Sequence, residues 1–254
     1  MMRESINFSF NGISSEDMGV SAIQTGGLFE ENFLPKRTII ESNVASKDKP
    51  SFQRVKNEPI AFPLTIFIEN WKERDSIRPL AKWLFTNEYK PLYFESNPDR
   101  LYYAIVEGDS NVFHNGKKEG YVTLNIRCNS PYTFSNPLIH ENIESSVGQY
   151  SINNSGDMGV VTKLWITKTV SNGDINITIE ETNQSVTLSD LELGEEVYLD
   201  GDNEEIISSL SIVGIHRYDN HNGQWLNLNE GINSFLLYGD FTFSIEYQTI
   251  YLAD

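Results

Sequence analysis

Lysine and arginine almost vanish from the second half of this chain. Residues 1–134 hold 16 basic and 17 acidic side chains, a net charge of −1, whereas residues 135–254 hold 3 and 19, a net charge of −16. A half so acidic should repel DNA, RNA and anionic membranes, which disfavours a polyanion-binding role for it. Cysteine is scarcer still. Cys128 stands alone, so an internal disulfide and a thiolate-built zinc cluster are both excluded. Long apolar runs are missing too: none approaches the roughly 20 residues that span a bilayer. The opening MMRESINFSFNGISSEDMGV lacks the apolar stretch of a secretory signal. The expectation is synthesis in a cytoplasm without membrane insertion, and the sequons at Asn7, Asn153, Asn176 and Asn183 then read as chance matches.

What remains is an ordinary globular composition, with 39% hydrophobic and 22% charged residues, and that rules out a disordered chain. Abundant Tyr and Phe and frequent β-branched runs favour strands. Helix signals are few. Asn70 to Pro91, NWKERDSIRPLAKWLFTNEYKP, is the one convincing helix, with Asn70 as cap and Trp71 as a staple against a residue one turn inside. Ile77, Leu80, Ala81, Leu84 and Phe85 recur at helical spacing and predict its apolar stripe. Pro79 interrupts the pattern, so a kink or a start near Asp75 is expected.

Around that helix the first half alternates like strands. AFPLTIFIE places Phe62, Leu64, Ile66 and Ile68 on one face, with Pro63 marking an edge or a strand start. PLYFES, LYYAIVEG and GYVTLNIRC follow, the last two joined by a segment whose Asn-Gly pair favours a tight turn. Earlier, KRTIIES and SFQRVKN flank NVASKDKP as the arms and tip of a long hairpin carrying Arg37, Lys47, Lys49, Arg54 and Lys56. One reading is a solvated β-arm. The preferred one is an arm that leaves its own domain to pair with a neighbouring subunit, because a polar hairpin is marginal by itself.

The second half shows no comparable helix. Strand-like segments recur about every ten residues between Asn, Gly and Asp turns, the pattern of a β-sandwich, and a jelly-roll-like sandwich is expected. QYSINNSGDMG reads as turn. RCNSPYTFSN, where an alternating strand ends and the basic residues thin out, marks the boundary. The chain thus divides into residues 1–134, a β-rich α+β domain with one helix and one hairpin arm, and residues 135–254, a β-sandwich, and the whole is mainly β. The final FSIEYQTIYL has two placements, in the sandwich or back on the first domain.

A search for chemistry yields little. His216 and His221 flank Asp219 in GIHRYDNHNG, but their spacing matches no established zinc pattern and a polar turn explains them better. DGDNEE at 200–205 lacks the glycine and distant bidentate glutamate of a calcium loop and reads as an acidic hairpin tip. Phosphate loops, dinucleotide fingerprints and nucleophile elbows are missing. Acid pairs such as Glu180–Glu181 and Glu195–Glu196 single out no glycosidase couple in so acidic a chain. Trp165 and Trp225 lie on sandwich strands, where a core position is the first reading and sugar stacking the second. No catalytic residue, metal ligand or cofactor is expected.

One resemblance does emerge. LAKWLFTNEYKPLYFESNPDRLYYAIVEGD, LNIRCNSPYTFS and LNEGINSFLLYGDFTFSIEYQTIYL, in that order, resemble the siphophage distal tail protein family and together span most of the chain. The resemblance implies a virion protein at the distal end of a long non-contractile tail, with no enzymatic activity. It implies a hexameric ring formed through the first domains, in which hairpin and helix wrap the neighbour like a belt; stacked rings are a further expectation. Arg37, Ile39, Ile40, Lys47, Lys49, Phe52, Arg54, Lys56, Trp71 and Trp83 are the residues expected at that interface. The second domain is expected to be a galectin-like sandwich without an inserted carbohydrate-binding module. Expected partners are the tail-tube protein, the tape-measure protein and a tail-fibre or receptor-binding hub, with DNA passing through the ring unheld. The second function considered is a carbohydrate-binding module for host-surface adsorption, with Trp165 and Trp225 as candidate sugar contacts; the third is a glycosidase.

Overall fold

The structure, a computed structural model, describes residues 7–23, 36–43, 48–68, 71, 74–114 and 119–252. The chain separates into two compact units, one comprising residues up to Phe134 together with those from Tyr251 onward, the other Ser135–Ile250. Each has its own apolar core, and strands dominate both.

In the first unit the strands are β1 (Phe8–Phe10), β2 (Ile13–Ser14), β3 (Val20–Ile23), β4 (Arg37–Ser42), β5 (Ser51–Asn57), β6 (Ala61–Ile68), β7 (Lys90–Phe94), β8 (Asn97–Glu107), β9 (Val112–His114), β10 (Gly120–Cys128) and β11 (Thr133–Phe134). One helix, α1 (Arg74–Leu84), lies between β6 and β7. The main antiparallel sheet runs β2-β1-β7-β8-β10-β6-β3. Its first hairpin turns on Asn11 and Gly12, both with positive φ (52° and 74°), so that Phe10 faces Ile13 across a two-residue loop. That loop needs left-handed backbone at both positions, which an Asn-Gly pair accepts at little cost. β6 buries Leu64, Ile66 and Ile68 on one face as its alternation requires. Pro63 falls on the stretch of β6 paired with β10 but beyond the reach of β3, where its missing N–H costs no ladder bond.

The helix corrects the expected stripe. Leu80 and Trp83 are buried and Ile77 and Leu84 half-buried, while Ala81 and Phe85 are exposed, Phe85 at 82%. The buried face is therefore centred on Leu80 and Trp83. Trp83 stacks on Phe8 at 5.7 Å, and its indole N–H donates to the Phe10 carbonyl at 2.9 Å. That hydrogen bond satisfies the polar end of the indole while the ring fills the core. Pro79 sits inside α1 on its exposed side.

The second unit continues with β12 (Leu138–Glu144), β13 (Gln149–Asn154), β14 (Val160–Val161), β15 (Lys163–Lys168), β16 (Gly173–Ile179), β17 (Gln184–Leu191), β18 (Glu196–Asp200), β19 (Glu205–Ser208), β20 (Asn227–Leu228), β21 (Gly231–Tyr238) and β22 (Phe241–Tyr247); β23 (Ile250–Tyr251) ends the described strands. Two sheets form, β12-β22-β15-β18-β19 and β13-β21-β16-β17, with β14 and β20 as a separate pair. Leaving aside β19 and that short pair, the eight long strands follow the order 1-8-3-6 in one sheet and 2-7-4-5 in the other. This is jelly-roll connectivity, two interlocked Greek keys. Ile175, Ile177 and Ile179 from β16 meet Phe241, Phe243 and Ile245 from β22 in a fully buried core. Burying each such side chain contributes roughly 1.5–3 kcal/mol.

QYSINNSG corrects the turn reading, because Gln149–Asn154 is a strand paired along its length with β21. Its single apolar inward side chain of full burial is Ile152, too sparse an alternation to show in sequence. The buried Asn154 side chain instead organises the turn that follows, donating to the Met158 carbonyl at 2.9 Å and accepting from the Gly156 N–H at 3.1 Å. Asn233 does the same for LNEGINSF: its amide accepts from Asn229 N and donates to the carbonyls of Asn229 and Gly231.

Candidate functional site

The hairpin β4–β5 forms a two-stranded sheet separate from the main one. Arg37 pairs with Asn57, Ile39 with Val55 and Ile40 with Arg54; then a bulge at Gln53 sets Glu41 opposite Phe52. Residues opposite each other in an antiparallel pair share a face, and residues two apart on a strand share it too. Ile39, Val55, Glu41 and Phe52 therefore lie on one face. There Ile39 is 61% exposed, Phe52 64% and Val55 42%. Three large apolar side chains on a thin ribbon gain almost nothing from their own domain. Arg37 shares that face, whereas Arg54 and Lys56, on either side of Val55, are exposed on the opposite one, and Lys49 is exposed as well, so the arm carries an apolar face on a basic ribbon. Lys47 lies outside the described residues.

The root of the arm is well tied. The Asn57 amide donates to the Tyr132 hydroxyl at 2.8 Å, and the Glu58 N–H donates to the Lys36 carbonyl at 2.8 Å. Lys56 forms an ion pair with Glu58 at 3.1 Å, and the Lys56 hydrogen bond holds the Glu58 carboxyl below its usual range. Both groups face water, where such a pair contributes little. Tyr132, from the PY dipeptide, thus anchors the arm's base.

The two tryptophans of this region part company. Trp71 is half-buried, its ring stacked on His114 at 3.9 Å; a Cβ on Gly120 would strike it at 2.7 Å, which is why glycine opens β10. Its expected cap neighbour Asn70 lies outside the described residues. Trp83 is a correction: with 6% exposure it belongs to the core of its own domain, not to a surface open to another subunit.

In the sandwich, Trp165 also departs from its first reading. It stands on the outer face of the five-stranded sheet, 41% exposed, tilted against Tyr198 at 5.0 Å. Trp225 is half-buried, packed against the core and 4.8 Å from the His221 ring. Structure does not bring the two together. A polar cleft of about 410 Å³ is lined by Thr182, Asn183, Gln184, Gln224, Asn227 and Asn229, and neither tryptophan lines it.

The acidic motifs resolve into structural roles. Asp200 caps the DGDNEE tip, accepting from the N–H groups of Asp202 and Asn203 and from the Asn203 amide and Tyr198 hydroxyl. Burial, then the Asp200 hydrogen bond, pushes the Tyr198 phenol up to about 12. Glu195, lost among the acid pairs of the sequence, is fully buried and held in a two-pronged ion pair by Arg217, both N···O distances 2.7 Å. No group of three or more His, Cys, Asp or Glu able to hold a metal occurs among the described residues.

Family models for the phage tail protein N-terminal domain and the phage tail C-terminal domain match residues 3–130 and 132–247 respectively. The chain belongs to this family of phage tail proteins. It is 32% identical to the SPbeta prophage-derived protein YomH of Bacillus subtilis strain 168, over 99% of this chain and all of that one. Its fold is that of the Dit (gp 19.1) protein of phage SPP1, a paradigm of the hub adsorption apparatus in phages infecting Gram-positive bacteria. The TM-score is 0.73 at 12% identity, covering 97% of this chain and 99% of that one. A chain of the phage P2 baseplate in its activated conformation shares the fold more loosely, with a TM-score of 0.52 at 6% identity over 90% of each chain.

Proposed function

We propose that this phage tail protein is a non-enzymatic assembly hub of the distal tail, closing into a ring through its hairpin arm. The carrying observation is the separate β4–β5 ribbon with Ile39, Phe52 and Val55 uncovered on one face. Covering that face with a neighbouring copy removes apolar area from water, and Arg37, on the same face, adds a directional contact beside it. An arm of one copy held by a different surface of the next is a heterologous contact, which closes into a ring when the rotation permits. Six is the copy number that the distal tail resemblance implies.

In this reading the first domain builds the ring and the sandwich serves partners. The ring joins the tail tube and tape-measure protein to a fibre or receptor-binding hub, and DNA passes through it. A half carrying −16 beside one carrying −1 offers DNA nothing to hold. Native mass spectrometry of the full chain tests the proposal. A mass six or twelve times the 28.9 kDa of one chain is expected; a monomer at micromolar concentration contradicts ring closure by the arm.

A further inference from the structure

Residues 206–218 form a closed loop on the edge strand β19. The Tyr218 hydroxyl accepts from the Ile206 N–H at 3.2 Å, so the loop's two ends meet. Ser211 Oγ accepts from the Ser208 N–H at 3.2 Å, and Ser208 Oγ caps the short helical turn at Leu210 N. Ile206 and Ser208 are two apart, so their N–H groups point along the same edge of the strand. Both are satisfied by the loop's own side chains, which closes that edge to strand addition. Beneath, the Arg217 guanidinium grips buried Glu195, and Glu195 also accepts from Ser208 Oγ at 2.6 Å.

This well-fixed loop is apolar outside. Ile212 is 94% exposed and Val213 71%, with Ile207, Ile215 and Tyr218 also open. Ile207 pairs with Tyr198, and Tyr198 with Trp165, so the apolar row continues across the outer face of the five-stranded sheet. A mobile loop can shed apolar residues into water at random; one fastened by an ion pair, a serine cap and a tyrosine holds them in place. Glu196, Glu204, Glu205 and Asp219 border it, all exposed. From Thr169 to the end of the chain the only Lys or Arg is Arg217, and Glu195 occupies it.

We infer that this platform docks another protein of the tail, one presenting apolar side chains ringed by lysine and arginine. The inference rests on the hub reading. A second sandwich is disfavoured as occupant, because two −16 halves repel, and in the hub reading the basic arm of each copy is already engaged in the ring. Complementary charge steers the encounter, while the apolar centre supplies affinity.

The test uses assembled tails carrying a benzophenone amino acid in place of Ile212 or, separately, of Phe52; both side chains are exposed, so neither replacement disturbs a core. After irradiation, the expected adduct at 212 joins this chain to a different tail protein through a peptide containing Lys or Arg. The Ile212→Asp, Val213→Asp double variant then lowers that protein's occupancy on purified tails by at least about tenfold, the size of a hot-spot loss. No adduct at 212, or an adduct to a second copy, overturns the inference. Position 52 reads the hub proposal independently, since it is expected to cross-link two copies of this chain whatever happens at 212.

Discussion

Glu195 and Arg217 show at residue scale how this sandwich spends its few cations. Burial alone would raise the Glu195 carboxyl, but the Arg217 and Ser208 hydrogen bonds and the Glu192 N–H outweigh it and hold it below the usual carboxylate range. A depressed folded pKa means that the pair stabilises the fold above the unfolded carboxyl's value, and that this stability is lost as pH falls through the lower folded one. Arg217→Met should cost about 3–5 kcal/mol at pH 7, because it strands a buried carboxylate. The deficit against wild type should shrink as pH falls from 7, because the stranded Glu195 of the variant takes up its proton at a higher pH than the paired one of the wild type does. Urea midpoints of both proteins at pH 7 and pH 4 check this, and a deficit independent of pH would show that the pair is not the cause. Nothing in the sequence singled out Glu195 from its neighbour Glu196. Their difference is which face of the chain turns inward, and that is set by partners thirteen and twenty-two residues away.

At the scale of elements, the hairpin was legible because its arms are polar and its tip is rich in turn formers. Its apolar face was not. Ile39, Phe52 and Val55 share a side only because the bulge at Gln53 shifts the register by one, and bulges leave no reliable trace in sequence. The helix was likewise visible as an element yet rotated in the reading: a stripe through Ala81 and Phe85 satisfies helical spacing, but Trp83 has the larger area to bury and a carbonyl on β1 to meet. Tertiary context decided the face. Deleting residues 38–56 removes a ribbon outside the main sheet, so circular dichroism melting should shift by no more than a few degrees while the native mass falls to one chain. A deletion that unfolds the first domain would instead make the hairpin part of its core.

For the whole molecule, the alternation of strands, the shift in charge and the spacing of turns were enough to read a β-rich domain followed by a sandwich. The order of strands within each sheet was not readable, since jelly-roll pairing joins β12 to β22 and β13 to β21 across some eighty to a hundred residues. In the proposed reading a tethered basic arm makes copies of one chain cohere, and an acidic sandwich carries a fixed apolar platform to other proteins. The most direct measurement is cryo-electron microscopy of the tail tip of a phage carrying this chain. The account predicts six copies in one ring, or six per ring where rings stack, at the distal end, each β4–β5 arm lying on the adjacent copy. Density for the chain along the tube, or a ring whose arms touch only their own subunit, would contradict it.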